Sequence, residues 1–124
     1  MKVKSNINFK KDLHFNIFTY LNEFLHWDIT ISDLKIYSEL YNIDFEMLSS
    51  GAVKNYEDRM SILFSVDTKK KIMEDLKMSY NTFNNSLSKL RKKGLITKDN
   101  TIDEKRLFNL NNLVFNFTIE YTNG

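Results

Sequence analysis

The stretch SYNTFNNSLSKLRKKGLI, residues 79–96, decides the predicted fold. Ser79 is a residue type that caps helix N-termini, because its hydroxyl can accept a hydrogen bond from a free backbone N–H of the first turn. Apolar residues then recur at the spacing of one helix face, at Phe83, Leu87 and Leu90. Two lysines followed by Gly94 suit a helix C-terminus, where cations oppose the helix dipole and glycine adopts a left-handed conformation. The pattern predicts an amphipathic helix from residue 80 to residue 93.

Another helix is predicted immediately before this one. Asp67 is a suitable N-cap for a helix over residues 68–76. The apolar residues of that helix are Ile72, Met73 and Leu76. Lys77 and Met78 then form a short turn that leads into Ser79. The two helices are therefore expected to pack as a helix-turn-helix pair.

A β-hairpin is predicted after Gly94. Residues 95–97 begin a strand, residues 98–100 form a turn, and residues 101–108 return as a second strand. Helix, short turn, capped helix and hairpin follow one another in a specific order. In that order, residues 67–108 resemble the winged-helix superfamily, and the quoted stretch looks like the recognition helix and first wing strand of its bacterial and phage members.

The resemblance covers about a third of the chain, and about two thirds if residues 31–64 supply the first helix and first strand. It implies a winged helix-turn-helix fold. In that superfamily the fold usually binds DNA, so the resemblance implies that residues 79–93 enter the major groove. It does not identify a particular protein.

The N-terminal part is predicted to add an extended arm and two helices. Residues 3–9 alternate between apolar and polar side chains, which fits a short strand or arm. Apolar residues recur at helical spacing over residues 11–27. Thr30 or Ser32 can cap a second helix.

The central segment gives weaker indications of secondary structure, and the C-terminal segment gives a clear one. Residues 42–58 show no clear periodicity, and Ser49-Ser50-Gly51 is expected to break the helix that precedes it. Residues 60–64 fit either a short strand or the end of a helix. Residues 113–121 alternate apolar and polar side chains, with Val114 as the exception, and predict a C-terminal strand.

The predicted fold class is α+β and mainly helical: a winged helix-turn-helix with an extra N-terminal helix and a C-terminal β-strand. The length suits a single domain over residues 1–124. Residues 1–28 would form the arm and first helix, residues 30–108 the winged helix-turn-helix, and residues 109–124 the closing strand.

Positive charge is concentrated on the predicted helix-turn-helix. Residues 67–98 hold nine lysines or arginines and three acids, a net charge of +6. The whole chain has a net charge of +2, so the rest carries −4. A surface that binds the phosphates of double-stranded DNA needs such a concentration of cations. The residues expected to contact DNA are Lys69, Lys70, Lys71, Tyr80, Asn81, Thr82, Asn84, Asn85, Ser88, Lys89, Arg91, Lys92, Lys105 and Arg106.

These residues fall into two expected roles. Asparagine amides can read adenine in the major groove through two hydrogen bonds, and lysine or arginine can contact guanine or phosphate. The residues expected to contact phosphates are Lys69, Lys70 and Lys71 on the first helix of the helix-turn-helix, and Lys105 and Arg106 in the wing. The leading prediction is therefore a non-catalytic DNA-binding protein that acts in transcription or replication control.

A second function stays open. Lysines at a helix end and polar residues on an outer helix face occur whatever the helix does, and winged helices also serve as protein–protein modules. The strand at residues 113–121 could add to a sheet in another subunit. Abundant Asn, Lys, Ile, Phe and Tyr suggest an AT-rich genome such as many bacteriophages have. The alternative is a structural component of a phage virion, and either function is expected to involve a homo-oligomer.

Enzymatic chemistry is not expected, and no cofactor or metal is implied. The chain has no cysteine, and His14 and His26 stand apart from other metal-ligand residues. Asp103 and Glu104 lie beside cationic residues, where an ion pair or a solvated turn is the simpler interpretation. No apolar run approaches the roughly 18 residues of a membrane span, and no signal peptide is recognisable. The expected location is the cytoplasm, which would be the host cytoplasm or the virion for a phage protein.

Overall fold

The structure, a computed structural model, describes residues 9–104. This part of the chain forms five helices and contains no strand. The helices are α1 (Phe9–Leu25), α2 (Ile31–Ser50), α3 (Tyr56–Leu63), α4 (Val66–Leu76) and α5 (Tyr80–Lys92). Helix α2 lies at the centre, because it contacts each of the other four helices.

Helix α2 has a defined cap at each end. The Thr30 side chain accepts a hydrogen bond from the Asp33 backbone N–H at 3.2 Å, and the Asp33 carboxylate accepts one from the Thr30 N–H at 3.0 Å. This reciprocal pair is a capping box. Gly51 ends the helix with a φ of 79°, a left-handed conformation that glycine adopts without a steric penalty. The buried apolar residues of α2 cover more than one face and are Leu34, Ile36, Tyr37, Leu40 and Tyr41.

An aromatic cluster joins α1 to α2. The Phe18 ring lies 4.8 Å from the Tyr37 ring and 4.7 Å from the Tyr41 ring, measured between centroids. Trp27, in the connection between the helices, meets Tyr37 edge to face at 6.0 Å. Tilted and edge-to-face contacts of this kind add to the stabilisation from burying the rings.

A buried ion pair joins α3 to α2. Arg59 Nε donates to Asp44 Oδ1 at 2.7 Å, and both side chains are only 5% exposed. Arg59 Nη1 also donates to the backbone oxygen of Lys54 at 2.6 Å. Because both charges are removed from water, deleting either one would leave the other without compensation.

Helices form at both predicted positions around the turn, with a shift at the first cap, but each packs on α2 and not mainly on the other. Helix α4 is capped by Ser65, whose side chain accepts from the Thr68 N–H at 3.3 Å, and Asp67 lies within the first turn. The turn holds Lys77 in a left-handed conformation with a φ of 54°. Ser79 then caps α5, as predicted.

Helix α5 also ends as the sequence predicts. The Gly94 N–H donates to the Arg91 carbonyl at 3.0 Å, and the Leu95 N–H donates to the Leu90 carbonyl at 3.0 Å. This pair of bonds is a Schellman motif, and Gly94 supplies the required positive φ of 77°.

The prediction of an α+β winged fold is wrong for the described residues. After α5 the chain makes a tight turn, in which the Thr97 N–H donates to Thr101 O at 2.9 Å, but no strand ladder follows. The carbonyl oxygens of Leu95 and Ile102, which could have bonded to a neighbouring strand, accept hydrogen bonds from tyrosine side chains of the helices. Tyr37 donates its hydroxyl to Leu95 O at 3.2 Å, and Tyr56 donates to Ile102 O at 2.5 Å. Buried Leu95, Ile96 and Ile102 therefore pack as core residues of a helical protein.

The structure corrects one further predicted helix boundary and decides between the two interpretations of residues 60–64. The first helix begins and ends two residues earlier than predicted, at Phe9 and Leu25. Residues 60–64 belong to the end of a helix, α3, and its C-cap. The arm before residue 9, the end of the second wing strand from residue 105, and the strand at residues 113–121 lie outside the described residues.

Tyr56→Phe tests whether hydroxyl bonding to the core carbonyl stabilises this fold. We expect the free energy of unfolding to fall by about 1–2 kcal/mol, because the buried Ile102 carbonyl loses its donor. Urea unfolding followed by circular dichroism measures the change.

The control is Tyr80→Phe, which removes a hydroxyl from a ring that is 69% exposed. Its effect is expected to stay within about 0.5 kcal/mol. Equal stability of the two variants would contradict a structural role for the Tyr56 hydroxyl.

Candidate nucleic-acid interface

Helix α5 presents one continuous polar stripe. Successive residues of a helix are about 100° apart, so positions spaced by three, four, seven and eleven residues share a face. The residues at this spacing from Asn81 are Asn84, Asn85, Ser88 and Lys92. Asn84 is half-buried and the other four are exposed. We call these five residues the outer stripe.

The opposite side of α5 docks the helix on the core. Phe83, Leu87 and Leu90 are each at most 2% exposed, as the sequence predicted. Ser86 on the same side is also buried. The outer stripe is therefore directed away from the core.

Lys89, which was predicted to contact DNA, forms an ion pair with a buried carboxylate, and its own side chain is 41% exposed. Its Nζ lies 3.2 Å from Asp33 Oδ2, and the Asp33 side chain is 4% exposed. Ser86 donates its hydroxyl to Asp33 Oδ1. The same carboxylate caps α2, so Asp33 links the start of α2 to one flank of α5.

The Asp33 carboxyl is stabilised in its ionised form. Burial alone would raise the pKa of Asp33, but hydrogen bonds from Ser86, from the Thr30 backbone and from Lys89 together lower it. The charge of Asp33 is consequently retained in the folded protein at neutral pH. Nothing in the local sequence pattern pointed to this residue, which lies 53 positions before Ser86.

Arg91 is also engaged within the protein. Its Nη1 donates to Asn100 Oδ1 at 2.7 Å, and its Nη2 donates to Ser88 Oγ at 3.4 Å. Asn100 has a φ of 60° in the turn that follows α5. Arg91 therefore braces this turn against the end of the helix.

The predicted residues at the start of α5 divide between the cap and the surface. Thr82 Oγ1 accepts a hydrogen bond from the hydroxyl of the N-cap, Ser79, at 3.0 Å. Tyr80 is 69% exposed beside the outer stripe. Tyr80 can therefore reach a ligand of α5, and Thr82, which is also exposed, forms part of the cap.

The lysines of α4 differ in their surroundings. Lys70 is exposed and Lys69 is half-buried. Lys71 forms an exposed ion pair with Asp75 at 3.2 Å, of a kind that contributes little to stability and breaks easily. Lys105 and Arg106 lie outside the described residues.

Further exposed lysines surround α5, although they were absent from the predicted contact set. Lys77 lies in the turn before the helix, Lys93 at its C-cap and Lys98 in the turn after it. Together with Lys92 they place positive charge near both ends of α5. The charge count of residues 67–98 was the signal that could have found them.

The histidines and the acid pair differ in their surroundings. His14 is buried, and its Nδ1 donates to Asn42 Oδ1 at 2.7 Å. Burial lowers the pKa of His14, against the opposing effects of Asn42 and Asp44. His26, Asp103 and Glu104 are exposed. Within residues 9–104, no group of three potential ligands could hold a metal ion, and no helix is long and apolar enough to cross a membrane.

Comparison with protein-family models, curated proteins and solved structures finds no match to this chain. The similarity of residues 79–96 to a winged-helix recognition segment stays a prediction for α5, while its first wing strand is replaced by a turn. The binding properties of α5 are therefore inferred from the side chains that it exposes.

Asp33→Asn tests the carboxylate that holds α5. A lowered pKa in the folded state means that ionised Asp33 contributes its full stabilisation above the unfolded pKa of about 3.9 and loses it as the pH falls through the folded value. We expect the variant to lose about 2 kcal/mol at pH 7. The difference from the parent should shrink as the pH falls below about 4. Urea unfolding at a series of pH values measures it.

Asp75→Asn is the matched control, because it removes a carboxylate from an exposed ion pair with a lysine. Its cost should stay below about 0.5 kcal/mol at every pH. A pH-independent loss in Asp33→Asn would contradict the stabilising role of the ionised form.

Proposed function

We propose that this chain is a non-catalytic protein that binds double-stranded DNA, with α5 in the major groove. The observation that carries the proposal is the outer stripe of α5, an exposed polar face on a helix whose opposite face is firmly docked. The major groove is about 12 Å wide and admits a single helix of this kind. On this proposal the protein acts in transcription or replication control.

Exposed lysines supply the expected phosphate contacts. Lys70 lies on α4, Lys77 precedes α5, and Lys92 and Lys93 lie at its end. A groove-bound helix has phosphates of both strands beside it, so cations at both ends of α5 can contact the backbone while the stripe faces the bases.

The turn at residues 97–101 takes the position in sequence that a wing would occupy. It is closed by the Thr97 N–H to Thr101 O bond and braced by Arg91, and it carries the exposed Lys98. A rigid turn with a lysine at its tip can contact phosphate without any β-sheet. DNA binding thus does not depend on the wing that the sequence predicted.

Salt-titrated fluorescence anisotropy with a labelled DNA duplex tests this proposal. We expect affinity to fall steeply as salt rises, because each phosphate contact releases counterions. Lys92→Ala and Lys70→Ala should each weaken binding and reduce the slope of log affinity against log salt by about one.

Lys54→Ala is the control, because Lys54 is an exposed lysine that precedes α3, outside the helix-turn-helix pair. It should leave both the affinity and the slope unchanged. Absence of binding at low salt would refute the proposal. The protein-packing alternative would then be the function to examine, and it is favoured by the exposed rings of Tyr20 and Phe24 on α1, which are 63% and 78% exposed.

A further inference from the structure

The donors and acceptors that α5 presents are mainly amides. Asn81, Asn84 and Asn85 occupy the first two turns of the outer stripe, and Ser88 follows one turn later. At 1.5 Å per residue, the span from Asn81 to Ser88 is about 10 Å, or about three base pairs. The part of the stripe that can reach base edges therefore carries three carboxamides and one hydroxyl.

The groups best suited to guanine are engaged elsewhere. Arginine or lysine that donates to guanine O6 and N7 is the commonest specific contact in the major groove. Arg91, the one arginine of α5, donates to Asn100 and Ser88, and Lys89 is paired with Asp33. Lys92 remains on the stripe, but it lies in the last turn of α5, next to the cationic C-cap. Within residues 9–104, the other arginine is Arg59, which is buried against Asp44.

A carboxamide is matched to adenine. Its NH2 group can donate to adenine N7 while its oxygen accepts from adenine N6, so one asparagine can make both bonds at once. We infer that α5 selects duplex DNA in which A·T base pairs face Asn81, Asn84 and Asn85. This inference rests on the proposed DNA binding and adds the class of sequence that is bound.

The test compares duplexes of equal length and charge. The full chain is titrated with a duplex whose central base pairs are all A·T, with one whose centre is all G·C, and with the A·T duplex in which 7-deazaadenine replaces adenine. The last probe removes the N7 acceptor from the major groove and keeps the Watson–Crick pairs. We expect the A·T duplex to bind at least about tenfold more tightly than the other two.

Protein variants locate the source of the preference. Asn81→Ala/Asn84→Ala/Asn85→Ala should bring the ratio of A·T to G·C affinity close to one, while the salt dependence stays as in the parent chain. Alanine favours helix more than asparagine does, so the variant is expected to fold, which thermal unfolding checks. Asn16→Ala removes an amide from α1 and is expected to keep the tenfold preference.

The outcomes separate the two proposals. Equal, salt-dependent binding of the A·T and G·C duplexes would overturn the A·T inference and leave DNA binding intact. A preference that survives 7-deazaadenine or the triple asparagine variant would also overturn it, because the preference would then come from DNA shape. Absence of binding to every duplex at low salt would refute the proposed DNA binding itself, and the inference with it.

Discussion

The carboxylate of Asp33 fixes how α5 sits on the rest of the protein. It accepts hydrogen bonds from the capping position of α2 and from Ser86, and it pairs with Lys89. Ser86 and Lys89 are three residues apart and so lie one above the other on the same flank of α5. A rotation of α5 about its axis would break both contacts. Three apolar side chains bury one face of the helix, but this polar anchor determines which residues point outward.

Local signals predicted α5 well because its determinants are close together in the sequence. Ser79, the apolar spacing and Gly94 all act within one helix and its caps, and each has the predicted structural role. The cap of α4 shows where such signals become ambiguous. Ser65 and Asp67 are both good capping residues, and the choice depends on where α3 ends, at Leu63 with its cap at Phe64.

The failed wing prediction has a non-local cause. Residues 95–102 have the turn residues of a hairpin, but two tyrosines from distant helices donate to the carbonyls of Leu95 and Ile102. Tyr37 and Leu95 are 58 positions apart, and Tyr56 and Ile102 are 46 apart. Backbone groups that are buried must find partners, and side chains can supply those partners as well as a neighbouring strand can. The local sequence alone cannot tell which partner is present.

Contacts between residues that are distant in the sequence also distinguish the lysines of α5 from one another. From the sequence, Lys89 looks equivalent to Lys92, since both are cations on one helix. In the folded protein Lys89 pairs with Asp33, a buried acid that would otherwise place an uncompensated negative charge beside α5. Asp33 lies outside residues 67–98 in the sequence but contacts them in space, so the net charge of +6 counted there falls by one. Lys89 is thus the counterion of Asp33, a role that its position in the sequence does not reveal.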